Sequence, residues 1–208
     1  MAPARRADAR RNRAALITAA REVMGHRGLD APLDDIARHA GVGNATLYRH
    51  FPTRCALVVA VFTEQMIDYA GAARAAAESR DAWTALRTYL TTVCALQAQN
   101  RALADLLTRT DITTRELDEL RRGAHRDLVT VIDRAQRAGR LRADVTAEDV
   151  LLILMANAGV IARTAEHAPT ASPRLIALLL DGLQARTATP AVPAPSARTM
   201  LRAMRQHR

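Results

Sequence analysis

The sequence predicts an all-α protein of about nine helices, in which a small three-helix head precedes a larger helical body. Apolar residues recur at the three- and four-residue spacing of one helix face, for example at Leu16, Ala20 and Met24. No segment alternates apolar and polar residues as a half-buried strand would. Charge also divides the chain, because residues 1–54 carry 10 Arg and 5 acidic residues, whereas residues 55–185 carry 15 Arg and 16 acidic residues.

Glycine, proline and a capping threonine delimit the helices nearest the N-terminus. Gly28 ends the first helix, and Gly41 ends a short second helix that contains Ile36. A third helix lies within residues 44–51, and a long fourth helix is expected from about residue 53, where a threonine caps it, to about residue 77. Five further helices are expected at about residues 80–98, 101–110, 114–138, 147–165 and 173–186.

Three local signals mark helix ends in the body. Thr146, with Asp149 three residues later, resembles a capping box, and Ser172 is expected to cap the last helix because a proline follows it. Gly139 is placed to end the helix before it. Residues 187–197 form a Pro/Ala-rich linker, and the residues after it form either a short basic helix or a disordered tail.

Composition excludes several classes of protein. Cys55 and Cys94 are too few for a secreted disulfide framework and indicate a reduced, cytoplasmic compartment. No cysteine pair or histidine spacing fits a metal site, and no motif for catalytic residues or a cofactor is present, so we expect none of these. No segment resembles a targeting peptide, and the longest apolar run, residues 150–162, is too short to cross a bilayer.

The excess positive charge lies at the two ends of the chain. Residues 186–208 carry 5 Arg and no acidic residue, like the basic residues 1–54 and unlike the balanced body. A basic segment on a neutral body favours a polyanionic partner, the alternative being a merely soluble basic surface.

Residues 33–51, LDDIARHAGVGNATLYRHF, carry the pattern of a helix-turn-helix. Two helices joined by so short a turn must pack closely, which a small residue at Ala37 permits, and Gly41 suits a turn that needs positive φ. The second helix presents polar and aromatic side chains suited to base edges and phosphates. A plain helical hairpin is the alternative, but such a hairpin more often exposes charged pairs four residues apart.

The stretch IARHAGVGNATLYRHF, followed by TRCAL at the start of a long helix, resembles the DNA-binding head of the TetR family. The match covers residues 10–62, and GRLRADVTAEDV at residues 139–150 is a weaker match in the body. The resemblance implies a homodimeric transcription regulator that binds double-stranded operator DNA and responds to a small molecule. The chain departs from the family at Pro32, where members often have a capping Thr or Ser that contacts phosphate.

The resemblance also implies roles for residues of the predicted recognition helix. Its first residues lie where members touch bases, and Arg49 occupies a variable position where its guanidinium would fit guanine. Tyr48 and His50 match family residues that usually bind phosphate, and Arg54 takes the place of a basic residue near phosphate. Thr46 either contacts DNA or caps and packs locally. The predicted DNA-binding residues are Asn44, Ala45, Thr46, Tyr48, Arg49, His50 and Arg54.

The last two predicted helices are apolar around much of their circumference, so each needs a second partner. In the TetR family that partner is the same helix pair of another subunit, and a thick monomer core is the alternative. The predicted dimer residues are Leu151, Leu154, Ile161, Ile176, Leu179 and Leu183. Residues on helices that line the family's ligand cavity are Phe62, Met66, Tyr69, Trp83, Leu86, Leu90, Cys94, Leu107, Met155 and Asn157, each of which is otherwise simple core.

The sequence therefore divides into a helix-turn-helix domain at residues 1–54, a ligand-binding and dimerisation domain at residues 55–187, and a tail at residues 188–208 that we expect to be flexible. The predicted function is a repressor that a small, largely hydrophobic effector releases from its operator, although an activator has the same sequence pattern. Two alternatives are an α-helical enzyme with a cofactor in its bundle and a constitutive DNA-binding protein without a ligand.

Overall fold

A computed structural model describes residues 2–187, 189 and 191–205, apart from the side chains of residues 2–6 and 187. The described residues form ten α-helices and one 3-10 turn, with a single isolated β-bridge between Leu141 and Gln184, so the all-α prediction is confirmed. The helices are α1 Ala2–Arg27, α2 Leu33–His39, α3 Asn44–His50, α4 Arg54–Glu78, α5 Ala82–Gln99, α6 Arg101–Thr108, α7 Arg115–Arg137, α8 Ala147–Thr164, α9 Ala171–Gly182 and α10 Ala197–Ala203.

Helices α1, α2 and α3 form the head, whose small core is shared between them. Leu16, Met24, Ile36 and Leu47 are all buried at 1% exposure or less. Thr53 caps α4 as expected, because its side chain accepts a hydrogen bond from the Ala56 amide.

Helix α4 runs from the head into the body and packs against α1, α5 and α7. It is the one helix in the described part of the chain that is long and apolar enough, by length and composition, to cross a membrane. Eight of its side chains are buried within the protein. Its apolar character therefore matches its position at the centre of the fold.

Two of the predicted helix ends in the body are confirmed and one is wrong. The Thr146 amide donates to the Asp149 carboxylate at 2.8 Å, as in a capping box, and Gly139 follows α7 with a φ of 66°. Ser172, however, lies inside α9 rather than before it. The Ser172 hydroxyl was expected to cap α9, but it donates a hydrogen bond to the buried Asn157 Oδ1 on α8 at 2.7 Å.

The C-terminal segment contains a short helix, which is one of the two alternatives that its sequence left open. Ser196 caps α10, and Met200 and Met204 are buried at 4% and 5% exposure. Their spacing of four residues places both on one helix face, which gives the basic segment an apolar stripe to pack against the body.

Candidate DNA interface and ligand cavity

The turn between α2 and α3 has the tight geometry of a helix-turn-helix. Gly41 adopts a φ of 68°, a conformation that residues with a Cβ rarely take, and the Val42 amide donates back to the Ala37 carbonyl at 3.0 Å. Ala37 is 1% exposed, so its small side chain lies buried where the two helices pack closely. Pro32 stands at the N-cap of α2 without a side-chain cap, as the departure from the family pattern implied.

Helix α3 turns its polar residues outward. Asn44, Ala45, Tyr48 and Arg49 are exposed, and Tyr48 retains 50% of its accessible surface. The Asn44 amide donates to Asp34 Oδ1 at 2.8 Å, which ties the start of α3 to α2. Thr46 is half-buried. The exposed set has the size and chemistry for contacts in a major groove.

Arg54 and His50, which were predicted to contact phosphate, lie at the start of α4 and the end of α3. Arg54 Nη1 donates to the carbonyls of Leu29 and Ala31 at 2.6 and 2.7 Å, because the loop after α1 leaves these acceptors without a helical partner. The Nε2 atom of His50 is buried and has no hydrogen-bond partner among the described residues. Arg54 thus holds the head to the start of α4, and the buried nitrogen of His50 faces away from solvent.

The loop between α1 and α2 joins the head to α6. The Leu29 amide donates to Asp105 Oδ2 at 2.8 Å, and burial raises the pKa of that carboxyl. Arg109, only 8% exposed at its side chain, pairs with Asp111 at 2.7 Å and with Asp30 at 2.6 Å. These two carboxylates raise the pKa of Arg109, so the cation persists at any physiological pH.

A cavity of about 350 Å³ lies in the body between α4, α6, α7, α8 and α10. Its apolar lining includes Tyr69, Leu107, Leu128, Leu151, Leu201 and Met204. Arg121, Arg122, His125 and Arg126 of α7 and Glu148 of α8 also line it. The side chain of Arg121 is engaged elsewhere, since its Nη2 donates to the carbonyls of Leu106, Arg109 and Ile112 at 3.0–3.3 Å.

The cavity contains only two of the residues predicted for a ligand site, Tyr69 and Leu107. The others lie outside its lining: Phe62, Met66, Trp83, Leu86, Leu90, Cys94 and Asn157 are buried, and Met155 is half-buried. Sequence reasoning missed Thr110 and the basic residues of α7. The basic residues could have been found from the sequence, because the spacing of Arg122, His125 and Arg126 places them on one face of a helix.

Asn157 belongs to a buried polar network rather than to the cavity. Its Nδ2 donates to Gln97 Oε1 at 2.8 Å and to the Cys94 carbonyl at 3.2 Å, and its Oδ1 accepts from Ser172. Gln97 in turn donates to the Leu154 carbonyl at 3.3 Å. The amide that sequence reasoning treated as a ligand candidate therefore joins α5, α8 and α9.

The two cysteines differ in accessibility. Burial raises the pKa of the Cys94 thiol to about 12, so it stays protonated below that pH, whereas Cys55 is half-buried. We expect iodoacetamide at pH 8 to label Cys55 in the native protein and to label Cys94 only after unfolding. Mass spectrometry of tryptic peptides measures both, and rapid labelling of native Cys94 would contradict this placement.

The predicted dimer residues divide between the core and the surface. Leu154, Ile161 and Ile176 are buried at 0–4% exposure within the single chain, in which α8 and α9 pack against each other and against α5, and α8 also packs against α6. Leu151 lines the cavity, and Leu179 and Leu183 are half-buried. The apolar surface left exposed on these helices is instead Leu152 on α8, at 40%, and Leu178 on α9, at 55%.

Comparisons with known proteins agree with this architecture. Residues 81–185 match the model of the SbtR-like transcriptional regulator C-terminal domain, and residues 16–61 match that of the bacterial regulatory proteins of the tetR family. No curated protein sequence matches the chain.

Similar solved structures include the TetR regulator SCO0520 from Streptomyces coelicolor, with 29% identity over 83% of this chain and 98% of that chain and a TM-score of 0.52. A TetR-family regulator from Agrobacterium tumefaciens has 20% identity over 85% and 99% of the two chains and a TM-score of 0.59. The regulator FadR from Bacillus subtilis, in complex with stearoyl-CoA, has 19% identity over 81% and 98% and a TM-score of 0.57. The last two likenesses show the fold alone.

The two family models correspond to the two parts of the molecule. Residues 16–61 contain the helix-turn-helix and the start of α4, and residues 81–185 extend from the start of α5 past the end of α9. The second match alone covers half of the chain. The chain therefore belongs to the TetR family of bacterial transcriptional regulators.

Proposed function

We propose that the protein is a cytoplasmic, homodimeric repressor, not an enzyme, and that a small, largely hydrophobic ligand releases it from operator DNA. The observation that carries the proposal is the outward face of α3. Asn44, Tyr48 and Arg49 are exposed there, while Leu47, 1% exposed, fixes the helix in the head. When a helix-turn-helix binds DNA, the outer side chains of a second helix anchored in this way contact base edges in the major groove.

Dimerisation is proposed through the exposed face of α8 and α9. Leu152, Ala156 and Gly159 follow one another at helical spacing on α8 and are all exposed, and Leu178 is exposed on α9. The small residues allow close approach of a second helix pair, and the leucines supply apolar surface for it. A two-fold dimer built on this face presents two copies of α3 to a palindromic operator.

The cavity supports the proposed response to a ligand. Its lining is mostly apolar and it lies at the small end of the volumes usual for ligand pockets, roughly 300–1,000 Å³. Arg121 connects it to the last turn of α6 and to the segment between α6 and α7 through three carbonyls, and Arg109 in that segment pairs with Asp30 of the head. We propose that a ligand that favours a different position of this segment shifts the two heads out of register with DNA.

The proposal is tested by selecting DNA from a random and a genomic pool at moderate salt. We expect enrichment of a roughly palindromic sequence, and we expect Arg49→Ala to relax the preference at one position per half-site at a cost of roughly 1–3 kcal/mol. Arg115→Ala is the matched control, because Arg115 is 91% exposed on α7, outside the head. Absence of any sequence preference in the wild-type protein would refute the central claim.

Repression and release need two further measurements. A reporter with the selected operator across its promoter should fall in expression when the protein is present, whereas a rise would identify an activator. Compounds that raise the melting temperature are then titrated against the protein–operator complex. A ligand that stabilises the protein without changing operator affinity would contradict the proposed release.

A further inference from the structure

Helix α10 closes one side of the cavity. Leu201 and Met204 line it, and the Thr110 amide donates to the Met204 carbonyl at 3.2 Å, which fixes the end of α10 to the segment between α6 and α7. The matches to the family models end at residues 61 and 185. This wall is therefore a property of the present chain rather than of the matched domains.

Positive charge lies at the solvent side of the same cavity. Arg122 and Arg126 are exposed, lie four residues apart on α7, and have no carboxylate partner among the described residues. Two like charges at this spacing disfavour a helix slightly, so an anion between them would relieve a repulsion. Glu148 is the acidic residue of the described lining, and its carboxylate is 4.0 Å from the ring of His125.

A buried hydroxyl adds a polar contact to the lining. Thr110 lies on the cavity wall, and its Oγ1 is buried without a hydrogen-bond partner among the described residues. A buried hydroxyl without a partner is unfavourable, so it is a ready donor or acceptor for a bound molecule.

We infer that the cavity binds an anionic amphiphile, with its acidic group at Arg122 and Arg126 and its aliphatic part against Leu128, Leu151 and Leu201. The inference rests on the proposed function in taking this cavity as the effector site. Helix α10 supplies the outer apolar wall, so the C-terminal segment is part of the ligand site.

The probes are decanoate and 1-decanol, which share a ten-carbon chain and differ in charge. Isothermal titration calorimetry with the full-length protein measures both affinities directly. We expect decanoate to bind roughly five- to tenfold more tightly than 1-decanol. Its carboxylate would contact two arginines, and each contact contributes little because both arginines are exposed.

Two sets of variants separate the charged and apolar parts of the site. Arg122→Gln combined with Arg126→Gln should reduce the affinity for decanoate to that for 1-decanol, whereas Arg74→Gln combined with Arg115→Gln removes the same charge elsewhere and should change neither. Leu201→Glu should weaken both probes, because it places an anion on the apolar wall. Val192→Glu, at a residue that is 90% exposed, is its matched control.

The following binding results would overturn the inference in whole or in part. Equal affinity for the two probes, or a decanoate affinity unaffected by the Arg122 and Arg126 changes, would overturn the assignment of an anion. Full binding by Leu201→Glu would overturn the role of α10, and failure of both probes to bind would overturn the site. Binding with the expected pattern but without release of the operator would support the inference while refuting the proposed function.

Discussion

Replacing Leu178 with arginine is expected to give a folded monomer that has lost most of its operator affinity. Leu178 is 55% exposed in the single chain, so the substitution leaves the core of each subunit intact. In a two-fold interface the change occurs twice, and each guanidinium is buried without a partner, which is unfavourable by several kcal/mol. Because two linked heads bind far more tightly than one, operator affinity should fall roughly 10²- to 10⁴-fold.

Analytical ultracentrifugation at micromolar concentration measures the subunit state, circular dichroism measures the helix content, and a mobility shift measures operator binding. Ile67→Arg is the matched control, because Ile67 is 49% exposed on α4, away from α8 and α9. It should remain dimeric and bind DNA normally. A Leu178→Arg protein that stays dimeric would show that another surface joins the subunits.

Leu154→Arg provides a contrast that follows from the same geometry. Leu154 is fully buried within its own chain, so an arginine there should unfold or aggregate the protein rather than dissociate a stable dimer. The sequence marked Leu154 as a dimer residue because α8 is apolar around much of its circumference. Periodicity shows that such a helix has two partners, but it does not assign each face to the chain itself or to a second copy.

The head was predicted in more detail than the body. Gly28 and Gly41 end helices where the sequence placed them, since a positive φ selects for glycine at those positions whatever the distant structure. The side chain of Arg54 was harder to assign. Its partners are the carbonyls of residues 29 and 31, more than twenty positions earlier, and a local motif carries no information about them.

The candidate cavity was harder still to predict, because its walls come from five helices that are distant in sequence. Leu107 and Tyr69 were assigned to it through the family resemblance, whereas Thr110 and Arg122 were not. The contribution of α10 did not follow from composition, because a Pro/Ala-rich linker and a basic end left both a short helix and a disordered tail open. Met200 and Met204 are buried, but two apolar residues are too short a pattern to predict a packed helix from the sequence.

Replacing Asn157 with leucine is expected to lower stability by roughly 2–5 kcal/mol. The change removes one amide and leaves Gln97 Oε1, the Ser172 hydroxyl and the Cys94 carbonyl without this partner inside the protein, and each buried polar group so left is unfavourable by about 1–3 kcal/mol. For a chain of this size, each kcal/mol lowers the melting temperature by roughly 2–4 °C. Thermal and urea unfolding followed by circular dichroism measure the loss.

The triple variant Asn157→Leu, Gln97→Met and Ser172→Ala is the decisive companion, because it removes the polar side chains together instead of stranding their partners. It should recover much of the lost stability, since exchanging a whole hydrogen-bonded set for apolar groups of similar shape is close to neutral. Affinity for decanoate should be unchanged in the triple variant, because Asn157 lies outside the cavity lining. If Asn157→Leu instead kept full stability and lost ligand binding, the network would be part of an effector site and the assignment of Asn157 to the core would be wrong.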